Sequence, residues 1–359
     1  MSGDNSFLKT ISVLRFPLIL LVVLIHAQLP GRYVSVSDYP AYTTLFSLAT
    51  VVTSSAVPLF FLFSGYLFFF NVAALTPDVY VQKLKRRVWT LLIPYLFWNL
   101  VVLLRFWLTQ TFAPGYADEG VKALADYTFT DWLRAFWDGY GGNPVCFQFW
   151  FLRDLMVLVV LSPVLYLVHK IKNGAGCFLC IVALLWLLGV PYGAGFRWSG
   201  IFFFATGAFG ALKGADMIKP TQKLRTPAIC YLVVYVIYTV VSLFTALRCP
   251  ARVESVLSGL SVLSVACLIL WAVSRRTEHR DIPDRSFLRD STFFVYAAHP
   301  ILLSPMRNIA LRLLPDRDLS AVAVYLGTPV LTVLLLLAAF WLLKRWVPRF
   351  LSLVTGGRF

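Results

Sequence analysis

Apolar residues run along this chain in long blocks, and charge collects in the short gaps between them. A block of about 18 or more apolar residues, wound as a helix, spans roughly 30 Å of hydrocarbon. The pattern predicts ten spans, at about 11–29, 45–70, 88–110, 149–168, 176–192, 198–213, 227–247, 255–274, 291–306 and 321–343. The blocks at 176–192 and 291–306 are short, so helix tilt or local thinning is expected there. The expected fold is all-α, a polytopic integral membrane protein. Neither an internal repeat nor a linker long enough to separate one domain from another is visible. Residues 1–359 therefore read as one transmembrane domain, with its core at about 11–343.

Composition agrees with the pattern. The chain is 59% hydrophobic and 14% charged, against about 25% charged in soluble proteins, and its mean hydropathy is +0.76. The first block is too long for a signal-peptide core, and "AQLPGRY" makes a poor cleavage site. Charge then orients the spans. With the N-terminus inside, 21 of the 32 Lys and Arg fall in inner segments and nine in outer ones, with Arg105 and Arg153 within spans. One inner cluster is Arg275, Arg276, Arg280, Arg285 and Arg289. This bias predicts an even number of spans with both termini in the cytoplasm. It also accounts for the net charge of +15 without a nucleic-acid partner. Cys177 and Cys180 form a CxxC with no His or Cys cluster nearby, so it reads as packing, and no metal-ligand spacing appears.

Ionisable groups inside spans are costly and default to functional candidates. Arg15 and His26 are eleven residues apart in the first span, about three turns, so they share a face and stand roughly 16 Å apart along the axis. Pro17 is expected in the first turns, where its missing N–H is tolerated. Ser64 and Gly65 in "FFLFSGYLFFF" permit close helix approach. Lys83, Lys85, Arg86 and Arg87 gather at the inner end of the third span and suit anionic lipid or a polyphosphate. Pro94 should kink that span. The fourth opens with Trp150 at the outer interface, then Arg153 and Asp154. Their side chains leave the helix about 100° apart, so they can reach different partners, such as a substrate oxygen for Arg153 and another helix for Asp154. His299, beside Pro300, either lines a polar cavity or bonds helix to helix. The outer loop 111–148 carries Asp118, Glu119, Asp126, Asp131 and Asp138, and its "DWLRAFWDGY" has the spacing of an interfacial helix, structural or lid-like.

In order along the chain, the R-x10-H of Arg15 and His26, "FLFSGY", "KRRVWTLLIPYLFWN", "FWFLRDLMVLVVLSP", "FFFATGAFG" and "YAAHPILL" resemble the blocks of the membrane-bound acyltransferase 3 family. The resemblance covers about 11–343 and is nearest to single-domain members from bacterial polysaccharide pathways. It implies about ten spans and transfer of an acetyl, or in some members a succinyl, group. The implied donor is cytoplasmic acyl-coenzyme A, and the implied acceptor is a sugar hydroxyl on an exported or lipid-linked glycan. Against that family pattern no appended esterase-like domain is expected after the last span, so any second acceptor-handling step is expected to be absent or supplied by a partner at the cell inner membrane.

The residues suit that chemistry. Acyl transfer to a hydroxyl needs a base, and histidine is matched to the task. A thioester is already activated, so acetyl-coenzyme A is expected as donor substrate without a metal. On this reading His26 is general base or acyl carrier, and Arg15 contacts the donor or orients groups beside it. Lys85, Arg86 and Arg87 bind the coenzyme, while Trp150, Arg153 and His299 face the acceptor. The rival expectation is a polysaccharide or small-anion transporter or flippase using the same buried Arg and His. The lack of an inverted repeat weighs against it.

Overall fold

The computed structural model describes residues 2–113, 122–245, 247–279 and 286–358. Asp118, Glu119, Arg280 and Arg285 lie outside the described residues. The helices are α1 (Ser2–His26), α2 (Pro40–Thr53), α3 (Ala56–Phe69), α4 (Pro77–Arg87), α5 (Ile93–Phe112), α6 (Phe129–Ala135), α7 (Trp150–Val160) and α8 (Ser162–Lys170). They continue as α9 (Gly174–Leu187), α10 (Trp198–Leu212), α11 (Lys219–Phe244), α12 (Ala251–His279), α13 (Ser286–Leu313), α14 (Asp318–Trp346) and α15 (Pro348–Thr355). Among the described residues there is no strand, only an isolated bridge between Tyr140 and Asn143.

Six helical stretches among the described residues are long and apolar enough to cross a membrane: Ser6–His26, Pro40–Phe69, Pro77–Phe112, Lys219–Phe244, Ala251–Thr277 and Asp318–Trp346. The pair α7 and α8, bent by 50° at its break, makes a further candidate, and α9 and α10 are shorter apolar helices. The protein is an all-α polytopic membrane protein. Backbone polar groups have no water to bond within a bilayer, which is why each apolar block satisfies them internally as helix.

The chain divides into two compact units. The first holds Met1–Ala73, Val164–Pro191 and Trp198–Ala339. Within it α1 packs against α2, α3, α12 and α13. The buried residues Phe7, Ile11, Leu14, Leu18 and Val22 recur at intervals of three and four, the period of one helix face. Arg15 and His26 continue that stripe. Pro17 is not in the first turns as expected: α1 begins at Ser2, so the proline lies in the helix interior, where it removes the bond to the Val13 carbonyl. The expected approach at Gly65 is present. A Cβ there would collide with the Phe204 carbonyl of α10, and one at Gly207 with the Leu62 carbonyl of α3. Only glycine lets these two backbones meet.

The second unit holds Ala74–Pro163, Tyr192–Arg197 and Phe340–Phe359. Here α4 runs into α5 through a π-helical turn, Val88–Leu92. Pro94 follows at once. Lacking an N–H, it cannot make the α-helical bond to the Thr90 carbonyl; Arg358 Nη2 donates to that oxygen instead, at 2.5 Å. Trp98 Nε1 donates to the Val354 carbonyl of α15 at 3.0 Å, so the C-terminal segment is fastened along α5. The segment between α5 and α7 contributes α6, started by a reciprocal cap between Thr128 and Asp131. Asn99 Oδ1 accepts the Cys146 N–H at 3.0 Å, and the Tyr95 hydroxyl donates to the Phe136 carbonyl.

Candidate active site

In the first unit, α1 and α13 bring two histidines together. His26 Nδ1 lies 2.8 Å from the Val22 carbonyl and 3.3 Å from His299 Nε2. His299 is fully buried, and its Nδ1 lies 2.7 Å from the Tyr296 carbonyl. A carbonyl oxygen only accepts, so both Nδ1 atoms carry hydrogen. His299 Nε2 is therefore an acceptor turned toward the His26 Nδ1–H, and the lone pair of a neutral His26 resides on its Nε2. The rings stand 5.2 Å apart, centroid to centroid.

Arg15 is half-buried on the same face of α1. Arg289 of α13 lies within electrostatic reach of it and pairs with Asp290 at 3.7 Å. Two cations from different helices thus gather three turns below His26.

A polar knot sits at the start of α7 in the second unit. Arg153, 1% exposed, donates from Nη1 to the Trp137 and Gly142 carbonyls at 2.5 and 2.9 Å. Its Nε and Nη2 both donate to Asp154 Oδ1, at 3.0 and 2.8 Å. Arg153 and Asp154, expected to reach different partners, also bond to each other. Their Cβ atoms diverge, but the long arginine side chain folds back over the adjacent carboxylate. The segment between α6 and α7 thereby closes onto Arg153 through its carbonyls. Trp150 begins the same helix, and the guanidinium of Arg197 lies over its ring at 4.0 Å.

Lys85, Arg86 and Arg87 form the last turn of α4, immediately before the π-helical turn. Lys85 and Arg86 are exposed, and Arg87 is half-buried. Four cations beginning at Lys83 crowd one short amphipathic helix, where lysine and arginine also complement the helix C-terminus. Among the described residues, no group of three or more His, Cys, Asp or Glu could hold a metal ion.

An acyltransferase-domain family model matches residues 8–344. The chain belongs to the acyltransferase 3 family. It is therefore a membrane acyltransferase, and both the residues on α1 and those at the start of α7 fall inside the matched region. It is 28% identical over 310 residues to the succinoglycan biosynthesis protein ExoH of Rhizobium meliloti (strain 1021), covering 84% of this chain and 79% of that protein. No solved structure matches.

Of the residues singled out from sequence, the structure brings His26 and His299 together and sets Trp150 and Arg153 in one knot. Arg197, Trp137, Asn143 and Arg289 belong to these clusters and were not singled out. Arg197 and Arg289 were visible only as ordinary loop and inner-face cations, because nothing in their local pattern marks them.

Proposed function

We propose that this acyltransferase moves an acyl group, acetyl or succinyl, from cytoplasmic acyl-coenzyme A to a hydroxyl of an exported or lipid-linked glycan at the cell inner membrane. The observation that carries this reading is the pair of acceptors on His26 Nδ1. With Nδ1 committed to Val22 and His299, His26 Nε2 is the basic atom. It takes the hydroxyl proton as the oxygen attacks the thioester carbonyl. The carbon–sulfur bond then breaks, and the imidazolium returns its proton to the departing thiolate. The sugar ester and free coenzyme A result, with no atom left over.

His299 assists by orientation. As His26 becomes a cation, its Nδ1–H becomes a stronger donor, and a second fixed acceptor stabilises it. The logic is that of the carboxylate behind a catalytic histidine, with a neutral acceptor in its place. Arg15, with Arg289 near it, offers positive charge to the donor from the far end of the same helix face. Lys85, Arg86 and Arg87 present an exposed cationic turn suited to the coenzyme phosphates, arginine by bidentate geometry. Trp150 offers an aromatic face to a sugar. The relationship to a succinoglycan biosynthesis protein supports a polysaccharide acceptor.

The test is release of free thiol from acetyl- or succinyl-coenzyme A by purified protein in detergent, with and without glycan acceptor. A flippase would release none, and that result would discard the reading.

A further inference from the structure

Two arginines meet one carboxylate at the start of α7, and they are used differently. Arg153 is buried, with its bonds running to Trp137, Gly142 and Asp154 Oδ1. Arg197 keeps 26% of its side chain exposed and stands 3.9 Å, Nε to Oδ2, from Asp154. That is too far for a hydrogen bond, and both atoms are buried without a hydrogen-bond partner. The Arg197 guanidinium is held otherwise. It lies over Trp150 at 4.0 Å and beside Tyr192 at 5.5 Å, and its Nη2 donates to Asn143 Oδ1 at 3.0 Å.

One carboxylate, Asp154, faces two guanidinium groups here, and only Arg153 hydrogen-bonds to it. Two ion pairs of the described loop are made elsewhere, Lys122 with Asp131 and Arg134 with Asp138. A planar guanidinium fixed by two aromatic rings and one amide, with only a long 3.9 Å ion pair to Asp154, is a preorganised fork for an oxyanion. A merely structural arginine would be expected to close the gap to Asp154, as Arg153 does.

We propose that Arg197 binds an oxyanion on the acceptor, either a sugar carboxylate or the diphosphate of a lipid carrier, with Trp150 and the exposed Tyr192 flanking the attached sugar. The identity of this ligand as acceptor rests on the glycan-acyltransferase reading; the oxyanion site does not.

Binding of glucuronate, inorganic pyrophosphate and glucose to the full-length protein in detergent, by saturation-transfer NMR without any acyl donor, tests this. Wild type is expected to bind glucuronate or pyrophosphate more tightly than glucose. Whichever anion binds more tightly identifies the source of the oxyanion. Arg197→Gln should weaken that binding about 10- to 100-fold, and Arg197→Lys, which keeps the charge but loses the fork, should fall between. Equal binding of glucose and both anions by wild type overturns the assignment without recourse to a variant. So does wild-type anion affinity in a folded Arg197→Gln protein. Thiol release by wild type is read separately, so failure of the acyl-transfer reading and failure of this site are distinguishable.

Discussion

His299 presents its Nε2 to the Nδ1 of His26 across 3.3 Å, from a helix 273 positions further along the chain. Together with the Val22 carbonyl on the same Nδ1, the contact leaves Nε2 as the nitrogen available to act as the proposed base. Replacing His26 with Ala is therefore expected to lower acyl transfer by about 10²–10⁴-fold, the usual cost of losing a general base. The variant should keep its thermal unfolding midpoint, since His26 ends α1 rather than filling the core. Near-normal turnover would return His26 to a structural role.

His299→Ala should lower kcat by about 10- to 100-fold, the worth of a hydrogen bond to a charged group. The KM for acyl-coenzyme A should be unchanged, because the bond strengthens only when His26 is protonated. His299→Gln, whose amide oxygen also accepts, should recover some of the rate. A helix-packing role would instead lower the unfolding midpoint of both variants and leave their kcat alike.

Arg86→Ala combined with Arg87→Ala should raise the KM for acyl-coenzyme A while leaving kcat nearly intact, the signature of uniform binding loss. Steady-state kinetics with saturating acceptor read this directly. An unchanged KM would assign the cluster to lipid contact.

Arg153→Ala should destabilise the protein by about 3–5 kcal/mol, because it strands the buried Asp154 carboxylate without its partner. Thermal unfolding in detergent measures the loss. If the variant unfolds like wild type but binds acceptor poorly, Arg153 faces substrate rather than the loop.

Gly207→Ala should cost about 1–3 kcal/mol through overpacking against the Leu62 carbonyl of α3. Gly176→Ala, where a Cβ meets open space, is the matched control. Equal unfolding midpoints for the two would mean that α3 and α10 separate easily.

Sequence alone determined the class of the fold. Long apolar blocks can satisfy their backbone in lipid only as helices, so hydropathy was enough to place α1, α11, α12 and α14. It also determined that Arg15 and His26 share a face, since helical period is a local property. The small residue at Gly65 announced a close approach, though not that α10 would be the partner. Tertiary structure decided the rest. His299 was legible as a buried histidine, but its pairing with His26 depends on how α13 lies against α1. Arg153 was legible as a charge inside a span, but the Trp137 and Gly142 carbonyls that accept from its Nη1 are supplied only by the folded loop. Arg197, an unmarked loop cation in sequence, became a candidate site only when Trp150, Tyr192 and Asn143 closed around it. Hydrophobic period is written residue by residue, whereas the partner of a polar group is chosen by whichever distant segment the packing brings within about 3 Å.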